Sequence, residues 1–165
     1  MLPISNRIIY LLVFLACAGL LAAAYVFEYV YYMDPCPLCI MQRIAVLLIG
    51  ISGLVGFIFA SSMLAKVSAS IFMLLSSILG MSVAGRHIWI QGLPADEIPT
   101  CGPSLEYMVD TLPWADVLAL MLRGNGNCAD GHWSFIGLSM PQWVMVWYVG
   151  FAVVALYLLF KRKNA

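Results

Sequence analysis

The chain has 165 residues, 64% of them hydrophobic and only 10% charged, with a mean hydropathy of +0.97. A soluble domain carries about 25% charged residues, so this composition excludes a soluble globular protein and places the chain in lipid. The zero formal net charge says nothing about partners by itself, and no nucleic-acid partner is expected.

Four apolar stretches are long enough to cross a hydrocarbon core, which takes about 20 helical residues. In chain order they cover about residues 8–27, 44–60, 67–84 and 143–160. The first offers Ala22-Ala23-Ala24 to a signal peptidase, but a cleavable signal has an apolar core of only about 7–15 residues. Backbone groups in lipid must be satisfied within their own segment, and no period-2 barrel pattern is present, so the spans are expected to be helices. The expected fold is an all-α membrane protein, a four-transmembrane-helix bundle forming a single domain over residues 1–165, with two loops on the outer, periplasmic face, a short one at about 28–42 and a long one at about 88–142.

The charges are segregated. The N-terminus, the loop 61–66 and the C-terminal tail share one side, which holds Arg7, Lys66, Lys161, Arg162 and Lys163 and no acid. The other side holds all eight acids with only Arg43, Arg86 and Arg123. The excess of Lys and Arg marks the first side as cytoplasmic, with both termini inside. Tyr10, Tyr25, Tyr29, Tyr31, Tyr32, Trp89, Trp133, Trp143, Trp147 and Tyr148 lie mostly near span ends, where amphipathic rings anchor in the headgroup layer. The spans contain no Asp, Glu or Lys, which argues against a polar transport path.

In the first outer loop, Cys36-Pro37-Leu38-Cys39 stands at the entrance of the second span, and Arg43 follows four residues after Cys39. A C-x-x-C is half a zinc site, a structural disulfide or a redox pair. Zinc would need Cys101 and Cys128, or His87 and His132, to complete it, and an oxidising compartment converts exposed thiols to disulfides instead. A structural bridge of this span closes too small a loop to restrain the unfolded chain much. At a helix start, dipole and free amides favour a thiolate at Cys39, and Arg43 at i+4 adds to that; the plainer alternative for Arg43 is a snorkelling side chain. His87 ends the third span at the same membrane depth. It is either an interfacial hydrogen-bonding residue or, with Cys39 and Arg43, part of a site suited to a quinone headgroup.

The long outer loop is rich in Gly, Pro and Asp, so coil with short helices is expected. Within it, Trp114, Val117, Leu118, Met121 and Leu122 recur at helical spacing; this segment either lies in the lipid interface or packs on the bundle ends. Cys101 and Cys128 bracket 26 residues of the loop, as a staple or as a second redox pair. Cys17, inside the first span, reads as a small buried hydrophobe.

Pro35-Cys36-Pro37-Leu38-Cys39-Ile40 with Arg43, Thr100-Cys101, Asn127-Cys128-Ala129, and Gly137-Leu138-Ser139-Met140-Pro141-Gln142-Trp143 at the last span occur in an order and spacing that closely resemble the DsbB family of bacterial inner-membrane disulfide-bond formation proteins, over essentially the whole length. The resemblance implies a thiol:quinone oxidoreductase in the inner membrane that reoxidises a DsbA-like periplasmic thiol oxidase. It implies four catalytic cysteines: the partner attacks Cys101 of a Cys101–Cys128 bridge, Cys128 exchanges with Cys36, and Cys39 is released beside ubiquinone or menaquinone. Arg43 then supports thiolate and quinone, and His87 corresponds to a residue near the quinone ring. No metal site is implied. Pro37 within the C-x-x-C and Arg86 beside His87 are departures. Arg86 either contacts the ring or snorkels outward.

Two further readings stand beside this one. A sister oxidase would serve a dedicated partner, and a non-catalytic four-span scaffold, broadly like a tetraspanin, would use Cys101–Cys128 as a loop staple. The scaffold would leave Cys39 with Arg43 unexplained.

Overall fold

The computed structural model describes residues 6–94, 96–100, 102, 105–129 and 134–163. The elements in chain order are α1 (Asn6–Tyr29), α2 (Pro37–Ile58), α3 (Met63–Gln91), α4 (Leu105–Thr111), α5 (Trp114–Arg123), a 3-10 turn (Gly126–Cys128), a hairpin of β1 (Ser134–Phe135) and β2 (Leu138–Ser139), and α6 (Met140–Lys163). Helices α1, α2, α3 and α6 are each long and apolar enough to cross a membrane. The protein is therefore an all-α, four-helix membrane bundle.

The helices outrun the apolar stretches because their ends are set by capping chemistry. Helix α2 begins at Pro37, well before residue 44. Pro37 fills the first turn, where its missing N–H costs nothing, and Cys36 is the N-cap, its Sγ accepting the Cys39 N–H at 3.4 Å. Helix α3 continues past residue 84 to Gly92, whose N–H closes on the Ile88 and Trp89 carbonyls. At α6, Ile136 and Gly137 both take positive φ, 54° and 77°, the geometry of a tight hairpin turn. Ser139 follows with its N–H donated to Gln142 Oε1 at 2.7 Å, half of a capping box. The longer helices carry charges at their ends, beyond the apolar stretches: Glu28 falls in the last turn of α1, Lys66 in the first turns of α3 and Lys161 near the end of α6.

The helices pack in series, α1 on α2, α2 on α3 and α3 on α6. Among the described residues α1 and α6 make no extensive contact, which leaves the bundle open along one side. Two tyrosines assigned above to the headgroup layer are instead the largest fully buried side chains, Tyr10 at 1% exposure and Tyr148 at 0%. Each ring lies over a glycine. A Cβ at Gly56 would come within 2.5 Å of Tyr10, and one at Gly80 within 2.4 Å of Tyr148. Each hydroxyl has a polar partner inside, as a buried tyrosine requires. Tyr10 donates to the Lys66 carbonyl at 2.9 Å and shares a 2.7 Å bond with Ser70 Oγ, while Tyr148 donates to the Gln42 carbonyl at 2.7 Å. Tyr25, Tyr29, Tyr31, Tyr32, Trp89 and Trp147 are exposed, as anchoring requires, and Trp133 lies outside the described residues.

Cys17 is buried in the core and fits against Gly50. Helix α5 packs on the bundle end: Val117 and Met121 are buried with Met108 against Ile40 and Met41, while Trp114, Leu118 and Leu122 face outward.

Candidate redox site

Three cysteines and a histidine meet at the start of α2. Cys36 Sγ is 3.1 Å from Cys39 Sγ and 3.9 Å from His87 Nε2. The ligand atoms of Cys36, His87 and Cys128 all lie within 4.8 Å of one another, and all three residues are buried. Cys128 arrives on the 3-10 turn, packed with Cys36 against Leu38, Val83 and Ile90. Gly124 makes this approach possible. Its φ is +73°, and a Cβ there would meet Leu38 and Ile90 side-chain atoms at 2.8 Å, so both the backbone turn and the close packing call for glycine.

Arg86 turns toward the end of α5. Its Nε and Nη2 donate to the Arg123 carbonyl at 3.3 and 3.2 Å, and its guanidinium lies 4.3 Å from the Trp89 ring centroid. It thereby satisfies an end carbonyl of α5 and ties the segment leading to Cys128 onto α3, beside His87.

Both nitrogens of His87 are held. Gln42 Nε2 lies 3.1 Å from Nδ1, and Nε2 lies 3.1 Å from the Cys128 carbonyl. With the Gln42 amide donating to Nδ1, the Nε2 proton points at that carbonyl. Gln42 was missed in the sequence reading, although a polar side chain one turn into a membrane helix and three residues after Cys39 is a signal in itself. It is only 5% exposed, and Tyr148 braces its carbonyl from α6.

Cys36 is the middle sulfur. It interacts with Cys39 on one side and Cys128 on the other. Its hydrogen bond to Cys128, followed by other contributions including the backbone of Asn125 and Leu38, draws the Cys128 thiol down to about 6 despite burial. The neighbouring sulfurs, Cys128 first and then Cys39, push the Cys36 thiol up. In the reduced site the arrangement therefore favours a thiolate at Cys128 facing a protonated Cys36.

The site opens into a cleft of about 560 Å³ on the open side of the bundle. Cys39, Gln42, Arg43 and His87 line it, together with apolar residues of α1 (Leu20, Leu21) and α6 (Val144). Arg43 lines this cleft, but its guanidinium is engaged on α1: it pairs with Glu28, donates to the Ala24 carbonyl at 3.3 Å, and lies 5.4 Å from the Tyr25 ring centroid.

A family model described as "Disulfide bond formation protein DsbB" matches residues 6–158. The chain belongs to the DsbB family. It is similar to "Disulfide bond formation protein B" of Marinobacter nauticus, 40% identical over 160 residues (97% of this chain, 95% of the relative). The likeness is 44% over 153 residues to that of Chromohalobacter salexigens (88% and 84%) and 42% over 164 residues to that of Xanthomonas euvesicatoria (98% and 94%). As a DsbB-family protein it is a multi-pass membrane oxidoreductase of disulfide-bond formation. Of the six residues singled out from the sequence, Cys36, Cys39, Cys128 and His87 come together and Arg43 shares their cleft, while Cys101, like His132, lies outside the described residues.

Proposed function

We propose that this chain reoxidises a DsbA-type thiol oxidase in the periplasm and passes the electrons to a membrane quinone, ubiquinone or menaquinone. It sits in the bacterial inner membrane with both termini cytoplasmic. The observation that carries this reading is the position of Cys36, between Cys39 and Cys128 at the mouth of the cleft. Disulfide exchange passes through an attacking, a central and a leaving sulfur, and this order supplies all three.

In the proposed relay a thiolate of the partner attacks Cys101 of a Cys101–Cys128 disulfide. That S–S bond breaks, a mixed disulfide forms, and Cys128 leaves as the thiolate. Cys128 then attacks Cys36, the Cys36–Cys39 bond breaks, and Cys39 leaves as a thiolate lining the cleft. The partner's second thiol displaces Cys101 from the mixed disulfide, so the partner ends oxidised. Cys101 next displaces Cys36 from Cys128, restoring Cys101–Cys128. Reformation of Cys36–Cys39 then gives up two electrons and two protons. A bound quinone supplies the two-electron, two-proton acceptor. The cleft fits one in volume, in its apolar walls for a prenyl tail, in the remaining N–H donors of Gln42 and Arg43 for ring oxygens, and in the His87 ring that lines it.

Quinone reduction by the purified protein, fed with reduced DsbA-like partner, tests this. Turnover by wild type and its loss in both Cys39→Ser and Cys101→Ser are expected. An inactive wild type with every quinone and dithiol partner tried would end the oxidase reading. Cys36, His87 and Cys128 also offer the donor set of a zinc site. One zinc per chain in the purified, unreduced protein would favour that reading instead.

A further inference from the structure

Helix α1 ends at Tyr29 rather than at residue 27, which puts Glu28 in its final turn, opposite Arg43 of α2. The polar and cation–π partners of Arg43 among the described residues, Glu28, the Ala24 carbonyl and the Tyr25 ring, all belong to the last two turns of α1. Both side chains of the ion pair are only 21% exposed, so water does little to screen either charge. Arg43 nonetheless lines the apolar cleft that contains Cys39. An unpaired guanidinium in such a place would act as an anion site; a paired one presents little net charge.

We propose that Glu28 is the resident counter-ion of Arg43, a positioning residue that holds the guanidinium against α1 and makes the cleft select uncharged rings over anionic ones. This rests on the reading of the cleft as the quinone site and names what sets its selectivity. Because Glu28 already occupies Arg43, an anion in the cleft must compete with a fixed carboxylate. A neutral ring needs only a hydrogen-bond donor and does not meet that competition.

The test compares binding of two probes to the purified, detergent-solubilised protein, followed by tryptophan fluorescence: a neutral short-chain ubiquinone analogue, and a hydroxynaphthoquinone that is anionic at neutral pH. Glu28→Gln is expected to tighten binding of the anionic probe about tenfold, equal to about 1.4 kcal/mol, with little change for the neutral one. Glu28→Ala should show the same gain and serves if the Gln variant folds poorly. Glu28→Asp should keep the wild-type preference. The gain should vanish when the pH is lowered enough to protonate the probe, and again when Arg43→Ala is added. An unchanged ratio of the two affinities in both Glu28→Gln and Glu28→Ala, or a gain that survives Arg43→Ala, would overturn the role of Glu28 alone. Failure of wild type to bind either probe would overturn the quinone reading of the cleft and this inference with it.

Discussion

The Gln42 amide nitrogen sits 3.1 Å from His87 Nδ1 while His87 Nε2 sits 3.1 Å from the Cys128 carbonyl, so one imidazole joins α2, α3 and the loop that carries Cys128. Gln42→Leu keeps the volume but leaves Nδ1 buried without a partner. A buried polar group left unsatisfied costs about 1–3 kcal/mol, so the ring should leave this pose and quinone reduction should slow by about tenfold or more. Gln42→Glu, whose carboxylate can accept from Nδ1–H once the imidazole is doubly protonated, should lose less. Steady-state quinone reduction by both variants checks this; equal rates for Gln42→Leu and wild type would remove His87's orientation from the mechanism.

Cys128 carries a pH signature. Its thiol is drawn down to about 6, first by the hydrogen bond to Cys36. A lowered pKa means that the thiolate is present above about pH 6 and is lost as the pH falls through that value. Reduced protein with Cys17, Cys39 and Cys101 changed to Ser, so that only Cys36 and Cys128 remain, should gain a thiolate absorbance step centred near pH 6. Adding Cys36→Ala removes the main cause and should move that step toward the ordinary thiol range. A step unmoved by Cys36→Ala would show that the two sulfurs are not in contact.

The four spans were legible because membrane thickness imposes a length that apolar runs reveal directly. The C-x-x-C and its following Arg were legible because spacing along one helix is fixed. Contacts between helices were not. Nothing in sequence spacing says that Gln42 faces His87, or that Arg43 turns to Glu28 on α1 instead of to Cys39, since both depend on how helices pack. Tyr10 and Tyr148 were misplaced for a related reason. An aromatic near a span end suits the interface by composition alone, and only the facing Gly56 and Gly80 make a buried slot for each ring. The ends of α2 and α3 were readable in principle from Pro37 and Gly92, which punctuate helices more sharply than hydropathy does.

Arg86→Ala should separate the two halves of the relay. The side chain holds the Arg123 carbonyl and thereby the turn that delivers Cys128 to Cys36, but it does not line the cleft. Loss of a partly exposed hydrogen-bond pair to a charged group is worth about 1.5–3 kcal/mol at most, so a several-fold slowing of exchange between partner and Cys36–Cys39 is expected. Affinity for a quinone analogue should stay unchanged. Stopped-flow mixing with reduced partner, read beside an analogue-binding titration, checks both; weaker analogue binding would show that Arg86 shapes the cleft after all.

Gly80→Ala tests whether the bundle core and the redox site are one mechanical unit. A Cβ at residue 80 would come within 2.4 Å of the Tyr148 ring, and neither partner can retreat, because Tyr148 is fully buried and its hydroxyl is tied to Gln42 at 2.7 Å. Overpacking of this kind costs about 1–3 kcal/mol, which should appear as a lower unfolding temperature in detergent. Moving the ring also pulls the hydroxyl from the carbonyl of the residue that orients His87, so turnover should fall as well. Tyr148→Phe separates the two effects: it removes only the hydrogen bond, worth about 0.6 kcal/mol inside a membrane bundle, and should lower turnover slightly with little change in unfolding temperature. If Gly80→Ala lowers stability but leaves turnover at the wild-type level, the Tyr148–Gln42 contact is structural only, and the orientation of His87 rests on the Gln42 side chain and the Cys128 carbonyl.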